Sequence, residues 1–180
     1  MSIQMQARVQ DDIDAAWAKL VSRAIRVALA RQDVSYGQLA ARLNEMGLTE
    51  SSRSVEGKVQ RGTFRCTFFL QALLASHVDC PPAWARILVT PGTWEERARD
   101  LLLESLSQQP WLNWQHLAQR LAEIGIEIEP DVLGAQAAEG TFSATLFLQC
   151  AAVCRFDGVK QFLDLSSLNS VALMTTSTTR

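Results

Sequence analysis

An internal repeat is the feature of this sequence that most constrains its fold. The segment LAARLNEMGL at 39–48 matches LAQRLAEIGI at 117–126 in six of ten positions, at an offset of 78. The same offset aligns GTFRCTFFLQ at 62–71 with GTFSATLFLQ at 140–149, with seven identities in ten positions. Self-similarity at a fixed offset indicates a duplicated structural unit. We therefore predict two copies of one module, over 12–78 and 93–165, in place of one large domain.

Each copy carries the start and stop signals of short helices. In the first copy an apolar stripe predicts a helix over 13–31, and Ser35 with Gln38 forms a capping box before a second helix. A third helix is predicted over 52–60, and Thr63 is the expected cap of a fourth. Equivalent signals in the second copy are Thr93 with Glu96, Asn113, Gly125, Pro130 and Thr141.

The domain organisation follows from these signals. No stretch with strand-like alternation competes with them, so we expect an all-α fold in which a four- to five-helix module occurs twice. We assign 1–78 to the first domain, 79–92 to a linker with a short helix, and 93–165 to the second domain. Residues 166–180 are rich in serine and threonine and are expected to form a flexible tail.

Composition argues against several functional classes. No apolar run approaches the ~18 residues of a membrane-spanning helix, and no secretory signal is visible, so we expect a cytoplasmic protein without membrane contact. The four cysteines form no CxxC pair, and Cys150 with Cys154 is interpreted as buried packing. Two histidines leave little material for a catalytic dyad or a metal site. We therefore expect no enzyme activity, no cofactor and no metal.

Two stretches of the first copy resemble a known class of domain. The segments SYGQLAARLNEMG at 35–47 and SSRSVEGKVQRGTF at 51–64 resemble phage-repressor-like helix-turn-helix domains, although the loop after Gly47 is longer than their tight turn. The run KVQRGTF followed by FFLQ resembles an uncharacterised bacterial domain family with a KxxRGTF and FLQ signature. The helix-turn-helix resemblance implies that double-stranded DNA is the partner and that the third helix enters the major groove.

The charges of the first copy suit that implied partner. Ser52, Arg53 and Glu56 lie near the start of the third helix, where side chains reach base edges, whereas Lys58 and the later arginines are expected to contact phosphate. Ordinary solvated charge on a surface helix is the alternative explanation. The candidate DNA-binding residues are Gln38, Ser51, Ser52, Arg53, Glu56, Lys58, Arg61, Thr63 and Arg65.

The two copies differ in charge. Up to Gly92 the chain has 11 basic and 8 acidic residues, a net charge of +3, and after it 6 basic and 11 acidic residues, a net charge of −5. At aligned positions Arg53, Lys58, Arg61 and Arg65 are replaced by Asp131, Gln136, Glu139 and Ser143. An acidic surface repels phosphate, so two equivalent DNA-binding heads are not expected.

A division of labour is our hypothesis from this asymmetry. The first copy acts as a DNA-binding regulator, and the second serves homodimerisation or a protein partner. The candidate partner-binding residues are Trp111, Trp114, Asp131 and Glu139. Sequence drift of the second copy is the simpler alternative. A protein-interaction adaptor in which neither copy binds DNA is the alternative function, and the net charge of −2 favours it.

Overall fold

Short α-helices form where the sequence carries capping signals. The computed structural model describes residues 2–177, and within them no β-strand occurs beyond one isolated bridge. The first copy comprises α1 (Ile3–Arg31), α2 (Tyr36–Glu45), α3 (Ser52–Arg61) and α4 (Cys66–Ser76). The connecting helix is α5 (Pro82–Val89). The second copy comprises α6 (Trp94–Leu106), α7 (Trp114–Glu123), α8 (Pro130–Glu139) and α9 (Ala144–Cys154). A 3₁₀ helix (Asp157–Gln161), α10 (Leu165–Ala172) and α11 (Met174–Ser177) follow.

The predicted all-α tandem repeat is confirmed, and so are its main capping signals. Ser35 and Gln38 form a reciprocal capping box at α2, and Thr93 and Glu96 form the same motif at α6. The Thr93 backbone N–H donates to the Glu96 carboxylate, which lowers the pKa of Glu96. Asn113 caps α7 through a hydrogen bond from the backbone N–H of His116. These contacts are local, which is why the sequence pattern predicts them.

The caps of α4 and α9 differ from the prediction. The helices begin after Arg65 and Ser143, two residues later than the predicted caps Thr63 and Thr141. The reason is that 63–65 and 141–143 are extended and pair with each other. The N–H of Cys66 donates to the carbonyl of Phe142 at 3.0 Å, and the N–H of Ala144 donates to the carbonyl of Phe64 at 3.0 Å.

The two copies pack against each other by a reciprocal set of contacts. Helix α1 packs on α9, and its counterpart α6 packs on α4, the counterpart of α9. The backbone pairing between 64–66 and 142–144 is reciprocal in the same way, because these segments are aligned in the repeat. An approximate two-fold axis therefore relates the copies. Their buried apolar residues form one continuous core, so the repeat in sequence does not produce two separate cores.

The connecting helix contributes to this shared core. Trp84 of α5 is buried and stacks on Phe162 with ring centroids 5.8 Å apart. The edges of Phe69 from α4 and Phe147 from α9 also contact the Trp84 ring. Leu88 is buried on the same helix. The short helix predicted in the linker is therefore present, and its aromatic residue joins both copies.

The C-terminal segment differs from the flexible tail that was predicted from residue 166. Residues 165–172 form α10, which packs on α1 and α9 and buries Leu168. Asp164 caps α10 by accepting a hydrogen bond from the backbone N–H of Ser167, and Arg23 of α1 donates to the Ser167 hydroxyl at 3.0 Å. The serine content conceals this helix because the serines lie on its solvent side and at its cap. Residues 178–180 lie outside the described residues.

Candidate nucleic-acid interface

Helix α3 is held closely against α1. Val55 and Val59 are fully buried one turn apart and form its inner face. Gly62 ends the helix in the left-handed conformation, with φ of +65°. A Cβ atom at this position would lie 2.0 Å from the carbonyl oxygen of Ala18 in α1. Only glycine therefore permits this approach, which fixes the orientation of α3 relative to the rest of the module.

The outward face of α3 is its solvent side, opposite Val55 and Val59. Arg53, Gly57 and Gln60 lie along it at helical spacing, and the two long side chains are exposed. The guanidinium of Arg61 folds back over Gly57, where an added Cβ would lie 3.0 Å from its Nη1 atom. Gly57 and Gln60 were not among the predicted residues. The helical period counted from Val55 would have identified both.

The N-termini of α2 and α3 meet at one edge of this face. A Cβ added to Gly37 in the first turn of α2 would lie 3.8 Å from the Ser52 hydroxyl oxygen. Ser51 caps α3 by accepting a hydrogen bond from the Ser54 backbone N–H at 3.1 Å. The Gln38 Oε1 atom accepts from the Ser35 backbone N–H at 2.9 Å. Ser51 and Gln38 are thus exposed but engaged as caps, and Ser52 lies directly beside them.

Lys58 lies beside the outward face and is paired within the chain, so its assignment as a phosphate contact stays a prediction. Its ammonium group forms an ion pair with Glu50 and lies 5.0 Å from the centroid of the Phe68 ring. Ser54 donates a hydrogen bond to the other oxygen of the Glu50 carboxylate at 2.7 Å. The Glu50 side chain is only 10% exposed. Lys58 therefore neutralises a largely buried carboxylate between α2, α3 and α4.

The aligned residues of the second copy support this interpretation of Lys58. Glu50, Lys58 and Phe68 correspond to Ile128, Gln136 and Leu146. Both charges and the aromatic ring are absent together in the second copy. The loss of positive charge at position 136 therefore follows from the loss of the carboxylate beside it.

Basic residues continue past the C-terminal end of α3. Thr63 and Arg65 are exposed on the extended segment, while Phe64 between them points into the core. Arg65 pairs in antiparallel fashion with Ser143 of the second copy, so it lies at the junction of the two copies. Lys19 is an exposed residue of α1 next to Ala18, which contacts Gly62.

The corresponding surface of the second copy is acidic. Asp131 and Glu139 are exposed at the two ends of α8, at the positions of Arg53 and Arg61. Glu56, exposed on α3, is replaced by Gly134.

The two candidate partner-binding tryptophans are placed differently. Trp114 is half-buried, and its ring covers Gly134, where an added Cβ would lie 3.0 Å from Cδ1. Trp111, by contrast, is 65% exposed.

The cysteines are packing residues in the structure. Cys66 and Cys150 are fully buried, and burial raises the pKa of each thiol. Cys154 is also buried beside Cys150 on α9, as the spacing predicted. Within residues 2–177, no group of three histidine, cysteine or acidic side chains is placed to bind a metal ion. No helix in the same span has the length and apolar character needed to cross a bilayer.

The fold and this surface define a tandem all-α protein with one basic and one acidic copy of the same helical module. The model of one protein family matches both copies, over residues 17–80 and 94–159. The chain belongs to that family, which is described as Domain of unknown function (DUF6471). Comparison with curated proteins and with solved structures finds no match.

Proposed function

We propose that the chain is a regulator that binds double-stranded DNA through the outward face of α3. The observation that carries the proposal is the positive charge of this face. Arg53 and Arg61 are exposed at its two ends, and Arg65 is exposed just beyond it. None of the three forms an ion pair among the described residues. The resemblance of 35–64 to phage-repressor-like helix-turn-helix domains supports the same partner, since a helix of this kind enters the major groove.

Phosphate contacts predict how this binding depends on salt. Each neutralised phosphate contributes a slope of about −0.9 to the dependence of log K on log salt concentration. Arg61 and Arg65 as phosphate contacts therefore give a slope of about −2. The test is fluorescence anisotropy of the full chain with a labelled random-sequence duplex at several salt concentrations. Absence of binding at low salt would refute the proposal.

Single substitutions separate the contacts. Arg53→Ala is expected to weaken binding by about 1–3 kcal/mol and to relax sequence preference, because Arg53 lies near the base-contacting start of α3. Arg65→Ala is expected to weaken all duplexes alike and to reduce the slope by about 0.9. Arg86→Ala is the matched control, since Arg86 is an exposed arginine of α5 outside the repeat. The Arg86→Ala variant is expected to leave both the affinity for DNA and the slope of its salt dependence unchanged.

The second copy is proposed to supply dimerisation or a partner contact. Trp111 is largely exposed next to a turn, and Asp131 with Glu139 makes the nearby α8 surface acidic. Exposed tryptophan is enriched at protein interfaces. Sedimentation of the full chain and its Trp111→Ala variant tests the self-association. A monomer at all concentrations would leave contact with a different protein as the role of this surface. The net charge of −2 is the observation that favours the adaptor as second candidate function.

A further inference from the structure

Gly57 in the middle of α3 has no requirement within the chain's own fold. Glycine is the least favourable residue after proline in a helix interior, and Gly57 lies on the outward face. An added Cβ would meet only the guanidinium of Arg61, whose Nη1 atom lies 3.0 Å away at the end of a flexible side chain. Alanine would therefore fit the folded protein and would stabilise the helix. Contact with a partner outside the chain would account for the glycine.

The second copy provides a direct comparison. Its aligned residue is Ala135, which fills the position that Gly57 leaves empty. The glycine of α8 is Gly134 instead, and the Trp114 ring packs on it, with Cδ1 and Nε1 at 3.0 Å and 3.1 Å from an added Cβ. Internal packing thus accounts for the glycine of the acidic copy. In the basic copy, by contrast, the glycine at the centre of the outward face is covered by the flexible end of the Arg61 side chain.

We infer that Gly57 is the point at which α3 comes closest to bound DNA, and that Arg53 and Gln60 contact base edges on either side of it. This inference rests on the proposed function. The missing side chain allows the helix backbone to approach a partner, and the exposed arginines make that partner anionic. Arg53 lies one turn before Gly57 and Gln60 about one turn after it.

The chemistry of Gln60 suits a base contact. Its carboxamide can donate to N7 and accept from N6 of adenine in the major groove. In the structure the exposed Gln60 donates a hydrogen bond to Glu56 at 3.2 Å. Replacing this hydrogen bond by one to a base costs little free energy, because both side chains are already in water. Its counterpart Ala138 lacks this capacity, as does every residue on the outward face of α8.

The test compares stability and DNA affinity in the full chain. Gly57→Ala is expected to raise the melting temperature by about 2–4 °C while it weakens binding to a selected duplex at least tenfold. Ala135→Gly, the reverse change in the second copy, is the control and should lower the melting temperature without changing affinity. Gln60→Ala is expected to lose discrimination of about tenfold or more at one base pair.

The other possible results of these experiments can be told apart. An affinity unchanged by Gly57→Ala would overturn the inference while the proposed function stands, and a lower melting temperature would show that the glycine is structural after all. If the Gly57→Ala loss disappears in an Arg61→Ala background, Gly57 acts only by positioning Arg61 and the closest approach is elsewhere. If the wild-type chain binds no duplex at any salt concentration, both the inference and the proposed function are refuted.

Discussion

Replacing Glu50 and Lys58 by the residues of the second copy tests whether this pair is structural. The variants are Lys58→Gln, Glu50→Ile and the double substitution, which together form a thermodynamic cycle. Lys58→Gln removes the charge that neutralises a side chain only 10% exposed. Glu50→Ile leaves Lys58 with the Phe68 ring and solvent. The double variant reproduces Ile128 and Gln136, which coexist in a folded copy of the same module.

The magnitudes follow from the exposure of the two side chains. A hydrogen bond to a charged group contributes about 1.5–3 kcal/mol, and we reduce this because the Lys58 side chain is 35% exposed. We therefore expect Lys58→Gln to cost about 1–2 kcal/mol and Glu50→Ile about 1 kcal/mol. The double variant should lie within about 0.5 kcal/mol of the wild type, which gives a coupling energy of about 2–3 kcal/mol in magnitude.

Urea denaturation followed by tryptophan fluorescence measures the free energy of unfolding of all four proteins. A second readout is the salt dependence of DNA binding, which Lys58→Gln should leave unchanged because the ammonium group is paired inside the protein. Arg65→Ala is the comparison that should reduce the slope by about 0.9. If the cost of the double variant equals the sum of the costs of the two single variants, Glu50 and Lys58 are not coupled. A reduced slope for Lys58→Gln would show that Lys58 contacts phosphate.

Three further outcomes are expected. Gly62→Ala should cost about 2–5 kcal/mol in urea denaturation, because left-handed strain adds to a clash with α1, whereas Gly47→Ala, with φ of +85° and open space, should cost only about 1–2 kcal/mol. Equal costs would contradict the close packing. Arg65→Ser should raise the unfolding free energy by about 1 kcal/mol and weaken DNA binding, because the serine supplies the cap that Ser143 provides to α9; a destabilised variant would contradict this. Hydrogen bonds from Ser166 and Ser167 lower the pKa of Asp164 to about 2, so its cap should be complete above about pH 4 and be lost as the pH falls through about 2. An NMR titration midpoint near 4 would contradict it.

Local signals explain what the sequence predicted correctly. The capping boxes at Ser35 and Thr93 and the cap at Asn113 involve residues three positions apart, so their geometry follows from the chain itself. The start of α1 was missed because 3–12 is mostly exposed and carries no apolar stripe, although Ser2 caps it. The caps of α4 and α9 were missed for a different reason, since pairing between the two copies keeps the preceding residues extended.

The residues of the candidate site can also be divided into those whose positions follow from local sequence and those whose positions depend on packing. The outward position of Arg53 follows from the helical period of α3, whereas Lys58 and the exposed Glu56 flank the buried Val55 and Val59 at equal angles, so the period does not separate them. The actual partners of Lys58 could not be predicted, because Glu50 precedes α3 and Phe68 belongs to the next helix. Gly57 is visible in the sequence, but only the structure shows that the atoms nearest to an added Cβ belong to the flexible Arg61 side chain.

Comparison of the two copies separates the charge differences that have a cause inside the module from those that do not. The change from Lys58 to Gln136 accompanies loss of the neighbouring carboxylate, so packing inside the module accounts for it. Among residues 2–177 no such partner accompanies Arg53 or Arg61, which are exposed and are replaced by acidic residues at the aligned positions of the second copy. Arg65 is the most informative position, because the first copy has no side-chain cap there while Ser143 caps α9. A contact outside the protein would account for an arginine at a position where serine would cap the helix, and a positive side chain next to the outward face favours an anionic partner.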